Sequence, residues 1–489
     1  MPRHPRRWVV AIASVSVLAA LSAGCTASES TDSAPVTSSV PTTASRAADE
    51  GAEGAGDAYY PADGNGGYEV DNYDLEISYD PATRRLDGLA KITANPQQPL
   101  RRFNLDLYGL DVRSVNVDAR PATFERQGEK ELVITPAAPA QPGRPFLVEV
   151  RYDGVPKLMT SGSLGARGWH SSESGPAFVV GEPQSATTWY PANETPRDKA
   201  RFRLAIRVPD GWGAVSNGLE EGVVQADGWT TYRWSEQTPI ATYLTTVAID
   251  RWTIVRSQLP DGTPVLDAYA PGSHDKKKIE SRLPEIIEFL SGKFGKYPQR
   301  AAGGIFINAS IGYSLETQTR PTYAQWATLE TVVHENAHQW FGNSVSVDSW
   351  ADICLNECFA SYSQWLWAEA KEGKILDDAF RKAIEDTKDA GQFWSKKLYD
   401  MGRGMEFGGV YDKGILAMHA LRKQIGEEPF GRVLKEWPVA HRDANASWPE
   451  FEQFVTGIAG QDLRGFFDAW FRGDKIPTDP YLFPGSLRK

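Results

Sequence analysis

Cysteine is scarce in this chain, with three among 489 residues, at positions 25, 354 and 358. That excludes a small disulfide-stapled scaffold, which needs several bridges in place of a core. Histidine is scarce too, at seven residues, so two of them at a regular spacing carry information. Basic residues are outnumbered, 52 Lys and Arg against 63 Asp and Glu, for a formal charge of −11. Such a balance lacks the footprint of a general nucleic-acid binder, and nucleic acid is not an expected partner. The apolar run at residues 8–20 is too short for an ordinary membrane-spanning helix. No internal repeat is apparent. What is present is the apolar and charged content of an ordinary globular protein, at a length with room for two or three domains.

Arg3, Arg6 and Arg7 precede the apolar run, and Leu21-Ser22-Ala23-Gly24-Cys25 follows it. A charged start, a short apolar stretch and small residues make a targeting segment, not part of the fold. Its end resembles a bacterial lipobox. The resemblance implies that residues 1–25 are a lipoprotein signal peptide, with lipidation at Cys25 and export to the outer side of the cell membrane. A simple signal peptide with secretion, or an uncleaved anchor, leaves the compartment the same. Residues 26–66 are rich in Ser, Thr, Ala, Pro and Gly and read as a disordered tether.

Residues 67–254 carry a β pattern. Tyr73, Leu75, Ile77 and Tyr79 alternate with polar residues, and similar short runs recur at 103–107, 131–134, 146–150, 202–206 and 241–247. An N-terminal all-β saddle or sandwich domain is expected. Residues 255–489 turn mixed and then helical, with helices at 279–294, 329–341, 354–372, 377–388, 411–424, 448–456 and 463–471, and a strand at 303–307. The fold class is therefore α+β and multidomain, and the order of elements in the mainly helical second part resembles that of a thermolysin-like catalytic domain.

The chemistry lies in His334-Glu335-Asn336-Ala337-His338. Residues four apart leave one face of a helix, so both imidazoles can hold one Zn²⁺, with Glu335 beside its water. A catalytic zinc takes a third protein ligand and keeps one position open. Glu357, in the next helical segment, supplies it. Zinc lowers a bound water's pKa towards 7, and Glu335 is placed to take the proton as general base.

The run HENAHQWFGN, followed by Trp350, Asp352, Leu355-Asn356-Glu357 and Phe359-Ala360, resembles the zinc signature of the aminopeptidase N family of gluzincins, peptidase family M1. The resemblance implies a zinc metallopeptidase acting at the free N-terminus of peptides, one Zn²⁺ per chain, in a compact two-domain monomer. Val410-Tyr411-Asp412-Lys413-Gly414 is similar to the family's VYEKG, which makes Tyr411 the oxyanion donor. Glu182, ahead of Pro183, and Glu316 fall at the family's positions for holding a substrate's α-amine. Around Glu316, however, Tyr313, Ser314, Leu315 and Thr317 depart from the usual G-A-M-E-N. A zinc endopeptidase, a leukotriene-type epoxide hydrolase and a non-catalytic surface-binding lipoprotein are the alternatives. Cys354 and Cys358 stand where the family has Trp and Gly. Four apart in a helix, they are expected as buried free thiols, because a bridge there is strained. Asp352 and Asn356 are read as packing groups or as supports behind the ligands.

Overall fold

A computed structural model describes residues 49–161 and 164–488. Cys25, the signal segment and most of the tether lie outside them. The tether reading does not hold for residues 49–66. Tyr59 and Tyr60 are buried there, and Asp57 accepts the backbone N–H of Trp350 at 2.9 Å. Two aromatic rings in that otherwise small-residue stretch remove a large apolar area from water, and Gly51 N on the Arg102 carbonyl at 2.8 Å adds a backbone tie.

The β-rich half is built on an eight-stranded sheet in which Tyr68–Asp80 is central. It pairs antiparallel with Arg85–Pro96 on one side and parallel with Ala200–Pro209 on the other. The alternating pattern works as read: Tyr73, Leu75, Ile77 and Tyr79 are buried and Glu76 is exposed. A second, five-stranded sheet includes Ala177–Val180 and Val247–Asp250. The first of these runs out towards Glu182 and the second leads to the next sheet. That next sheet has four strands, Thr253–Gln258, Pro264–Tyr269, Ile305–Phe306 and Thr322–Tyr323. Its first strand spans residue 254.

One expected strand is largely something else. Residues 241–247 form a 3₁₀ turn at Thr242–Leu244, and only Val247 enters a strand. Every residue of the segment is buried, so it has no solvent face for alternation to report, and Tyr243 turns towards the cleft.

The helical half follows the expected segments, with Leu329–Ala337, Cys354–Glu372, Asp412–Ile425 and Trp448–Ala459 as its main members. Cys354–Glu372 is buried along most of its first three turns, and Phe359 stacks on Phe341 with centroids 4.3 Å apart. A side chain of that size contributes roughly 1.5–3 kcal/mol when fully buried. A further helix, Glu427–Ala440, was not expected. Pro429, Gly431 and Pro438 obscure its period, yet Phe430, Val433, Leu434 and Trp437 form one buried stripe.

The two cysteines also differ from expectation. Cys354 and Cys358 form a disulfide with Cα atoms 4.8 Å apart. Helical backbone brings i and i+4 within bridging range, and in the dry interior both sulfurs are fully buried. No helix among the described residues is long and apolar enough to cross a membrane.

Candidate active site

The helix Leu329–Ala337 starts at Thr328, whose hydroxyl caps Thr331, and carries His334 and Glu335 in its last turn. His338 follows at the C-cap with helical backbone, so its ring still projects beside that of His334. The chain must then turn sharply to bring the next helix back. Gly342 allows this with φ +126°, where a Cβ would press within 3.3 Å of His338 Nδ1. His338 Nδ1 lies 3.0 Å from the Phe341 carbonyl, which holds the proton on that nitrogen and leaves Nε2 as a lone-pair donor. Glu357 enters from the first turn of Cys354–Glu372, where the helix dipole favours a carboxylate.

These groups converge. The Nε2 atoms of His334 and His338 are 3.1 Å apart, and Glu357 Oε2 lies 3.3 and 3.6 Å from them. A tetrahedral zinc with bonds of about 2.0–2.1 Å sets its ligand atoms roughly 3.3–3.4 Å apart. Glu357 Oε2 is buried without a hydrogen-bond donor of its own. The residues present therefore fit the ion. Electrostatics agree. Burial opposes charge on Glu357, yet the two imidazoles hold its carboxyl at about 2. Burial also opposes charge on His338, but Glu316, Glu357 and Glu335 outweigh it and raise the imidazole to about 10. Burial lowers His334. So much negative charge around two rings is what a dication neutralises.

The site opens into a cleft of about 570 Å³ lined by Glu182, Glu316, His334, Glu335, His338, Glu357 and Tyr411, among others. All the residues singled out in the sequence for metal, base, oxyanion and amine are thus brought to one place. Glu335 is 6% exposed, and burial together with Glu316 and Glu357 pushes its carboxyl well up. Carboxylate oxygens of Glu316 and Glu335 and a ring nitrogen of His338 lie within 4.8 Å of one another. Tyr411, 40% exposed, faces His334 with ring centroids 6.1 Å apart. Partial burial and the four surrounding glutamates push its phenol above the ordinary value, so it keeps its proton.

Glu182 Oε1 is buried and has no partner, and burial with Glu316 raises its carboxyl strongly. Glu316 accepts from the Tyr243 hydroxyl at 3.3 Å, while its backbone carbonyl accepts from Asn343 Nδ2 at 2.7 Å. Tyr243 was missed because its segment read as an alternating strand. Asn343 lay in the signature itself, and its partner was not legible. Of the departures around Glu316, Thr317 turns away and bonds the Arg320 carbonyl at 2.6 Å. Tyr313 lines the cleft but donates its hydroxyl to the Ala166 carbonyl at 2.8 Å. Asp352 accepts from Trp448 N and Ser349 N, which sets the start of the ligand helix. Asn356 is fully buried behind Gly342.

Comparison with known proteins adds an independent result. Residues 69–244 match the Peptidase M1 N-terminal domain and residues 306–470 the Peptidase family M1 domain. Probable aminopeptidase 1 of Saccharolobus solfataricus is 25% identical over 437 residues, 84% of this chain and 54% of that protein. Glutamyl aminopeptidase of Mus musculus is 22% identical, over 82% of this chain and 46% of that protein. The chain thus spans about half the length of these curated relatives. The M1 zinc metallopeptidase of Deinococcus radiodurans matches at 26% identity with a TM-score of 0.80, over 87% of this chain and 98% of that one. A variant of it has been crystallised with a Tyr-Ser-Ala substrate, again with a TM-score of 0.80. With both domain types in order and the ligand set intact, the metal of this site is zinc, and the chain belongs to peptidase family M1.

Proposed function

We propose that this protein is a zinc aminopeptidase that removes residues from the free N-terminus of peptides. The observation that carries the reading is the placement of Glu182 and Glu316. They come from different halves of the molecule, line the same cleft as the metal ligands, and have no lysine or arginine among the described lining residues. Burial raises both carboxyls, and Glu316 raises Glu182 further, so a cation beside the pair relieves both. An α-amine, with a pKa near 8, is that cation at neutral pH.

His334, His338 and Glu357 would hold the zinc, which supplies Lewis acidity for water and carbonyl. Glu335, buried in the cleft wall beside the ligands, acts as general base, taking a proton from water and returning it to the leaving amine. Tyr411 donates a hydrogen bond to the oxyanion and keeps its proton. Glu182 and Glu316 fix the amine, and so the register of the bond that is cut. An endopeptidase would need the acidic end of the cleft to be remade, and Thr317 turns away from it. The test is a peptide offered free and N-acetylated, followed by mass spectrometry. Stepwise loss from the free form alone is expected, and interior cleavage of the blocked form refutes the reading.

We also propose export with a lipid anchor at Cys25, a residue outside the described part, supported by the charged and apolar segment that ends in LSAGC. Cys25→Ser is expected to move the protein from the membrane to the soluble fraction. Retention in the membrane would point to an uncleaved N-terminal segment. A monomer suffices, since one chain supplies every group of the site.

A further inference from the structure

Within the stretch before Tyr411, two backbone turns hold the local shape, Met405 N on the Gly402 carbonyl at 3.0 Å and Gly408 N on the Met405 carbonyl at 2.9 Å. Residues 400–410 read DMGRGMEFGGV, with positive φ at Asp400, Gly402 and Gly404. Four glycines in eleven residues leave many backbone poses open. One end is tied by Leu398 N and Tyr399 N to the Phe471 carbonyl, at 2.8 and 3.1 Å. The other end becomes the helix Asp412–Ile425. Between them the loop places Phe407 on the cleft wall and delivers Tyr411 to the site.

The arm at residues 49–66 holds the middle. Asp57 Oδ1 accepts from Tyr59 N and Tyr60 N, at 2.7 and 3.0 Å, and so fixes the turn that presents both rings. The Tyr59 hydroxyl donates to Asp400 Oδ1 at 2.9 Å and accepts from Gly402 N at 2.7 Å. The Tyr60 hydroxyl donates to Glu406 Oε1 at 2.7 Å. Glu406 is 1% exposed, and its other oxygen has no partner. Without Tyr60 it would be a buried carboxylate with no side-chain donor, which the loop can relieve only by moving it towards water. The arm reaches the amine end as well, for Asp63 accepts from Gln184, two residues after Glu182.

We propose that Tyr59 and Tyr60 are positioning residues: through Gly402 and Glu406 they set the pose of the loop that carries Phe407 and Tyr411 to the cleft. The kinetic side of this rests on the aminopeptidase reading, and the conformational side does not.

Tyr60→Phe, Tyr59→Phe and the double variant keep the rings and remove only hydroxyls. In the zinc-loaded protein, hydrogen–deuterium exchange across 400–410 is expected to quicken in each, with the ligand helix Cys354–Glu372 unchanged. The double variant is expected to lose kcat by about tenfold or more, with KM within about twofold, since the donor and not the amine pocket is displaced. Adding Glu406→Gln to Tyr60→Phe is expected to cost no more kcat than Tyr60→Phe alone, because the two act as one unit. Unchanged exchange in 400–410 overturns the proposal. So does a lower thermal midpoint with kcat per folded, zinc-loaded molecule intact, for then the arm only stabilises. If wild-type protein turned over no peptide, the aminopeptidase reading would fail, and the exchange result would still decide whether the arm holds the loop.

Discussion

His334 and Glu335 are adjacent in sequence but join different groups: His334 Nε2 lies 3.3 Å from Glu357 Oε2, whereas the Glu335 carboxylate clusters with Glu316 and His338. Since Glu335 is not among the three converging ligand atoms, Glu335→Gln is expected to retain zinc in full. Loss of the proton acceptor should cut kcat by about 10²–10⁴-fold. Metal analysis beside turnover checks this, and wild-type-like activity would remove Glu335 from the mechanism. Tyr411→Phe deletes one oxyanion donor and is expected to cost about 10²–10³-fold in kcat. Glu316→Ala should act differently. It removes half of the acidic pair and also frees the Tyr243 hydroxyl, so KM rises and kcat falls together. A change confined to kcat would contradict the amine role. The ligands were legible because i and i+4 on a helix are a local relation. The Tyr243–Glu316 contact was not, because 73 residues separate its members.

Among elements, the packing of Asp412–Ile425 on the ligand helix explains the glycine of the YDKG run. A Cβ on Gly414 would lie 2.7 Å from Cys358 Sγ. Gly414→Ala is therefore expected to destabilise by about 1–3 kcal/mol in denaturant titration, the usual penalty of overpacking. Lys413 beside it is buried and donates to the carbonyls of Trp394, Lys396 and Gly473, so this motif residue ties the stretch 394–396 to the turn at Gly473. Gly414 and Lys413 stood in the sequence as a family match. Their reasons appear only when two helices and two further segments, around 394–396 and at Gly473, are in contact. The helix Glu427–Ala440 shows the converse, a buried stripe masked by two prolines that tertiary packing tolerates.

Across the whole molecule, the β-rich half holds several buried carboxyls that resist ionisation. Burial pushes Glu194, Asp198 and Glu236 up to about 7. A carboxyl whose folded pKa exceeds its unfolded one binds more protons when folded. Its contribution is present in full below about 4 and is lost as pH rises to about 7. Glu236 has one oxygen on Thr238 N at 2.8 Å and the other without a partner. Glu236→Gln is therefore expected to gain stability relative to wild type at pH 8 compared with pH 5. The comparison cancels the pH dependence of zinc binding, and a difference independent of pH would show that Glu236 titrates normally. Lys199 works across the two halves. Its ammonium donates to the carbonyls of Asn343 and Ser344, both at 2.8 Å, just past the HExxH helix.

The sequence alone determined what short-range geometry determines: a zinc pair at helical spacing, a base between, a third ligand one segment on, and an alternating strand with one face inward. Its resemblance to a family extended this to Tyr411, Glu182 and Glu316. Tertiary structure alone decided that Glu182 and Glu316 share one cleft, that Tyr313 and Thr317 spend their hydroxyls elsewhere, and that the arm at 49–66 is bound. It also decided that Cys354 and Cys358 are joined. Composition made that arm a tether because small polar residues cannot bury much area, but two tyrosines with partners some 340 residues away outweigh the average. Local pattern reports which face of an element avoids water. What that face meets depends on contacts between residues far apart in the chain, and those contacts position the acids and the phenol around the metal.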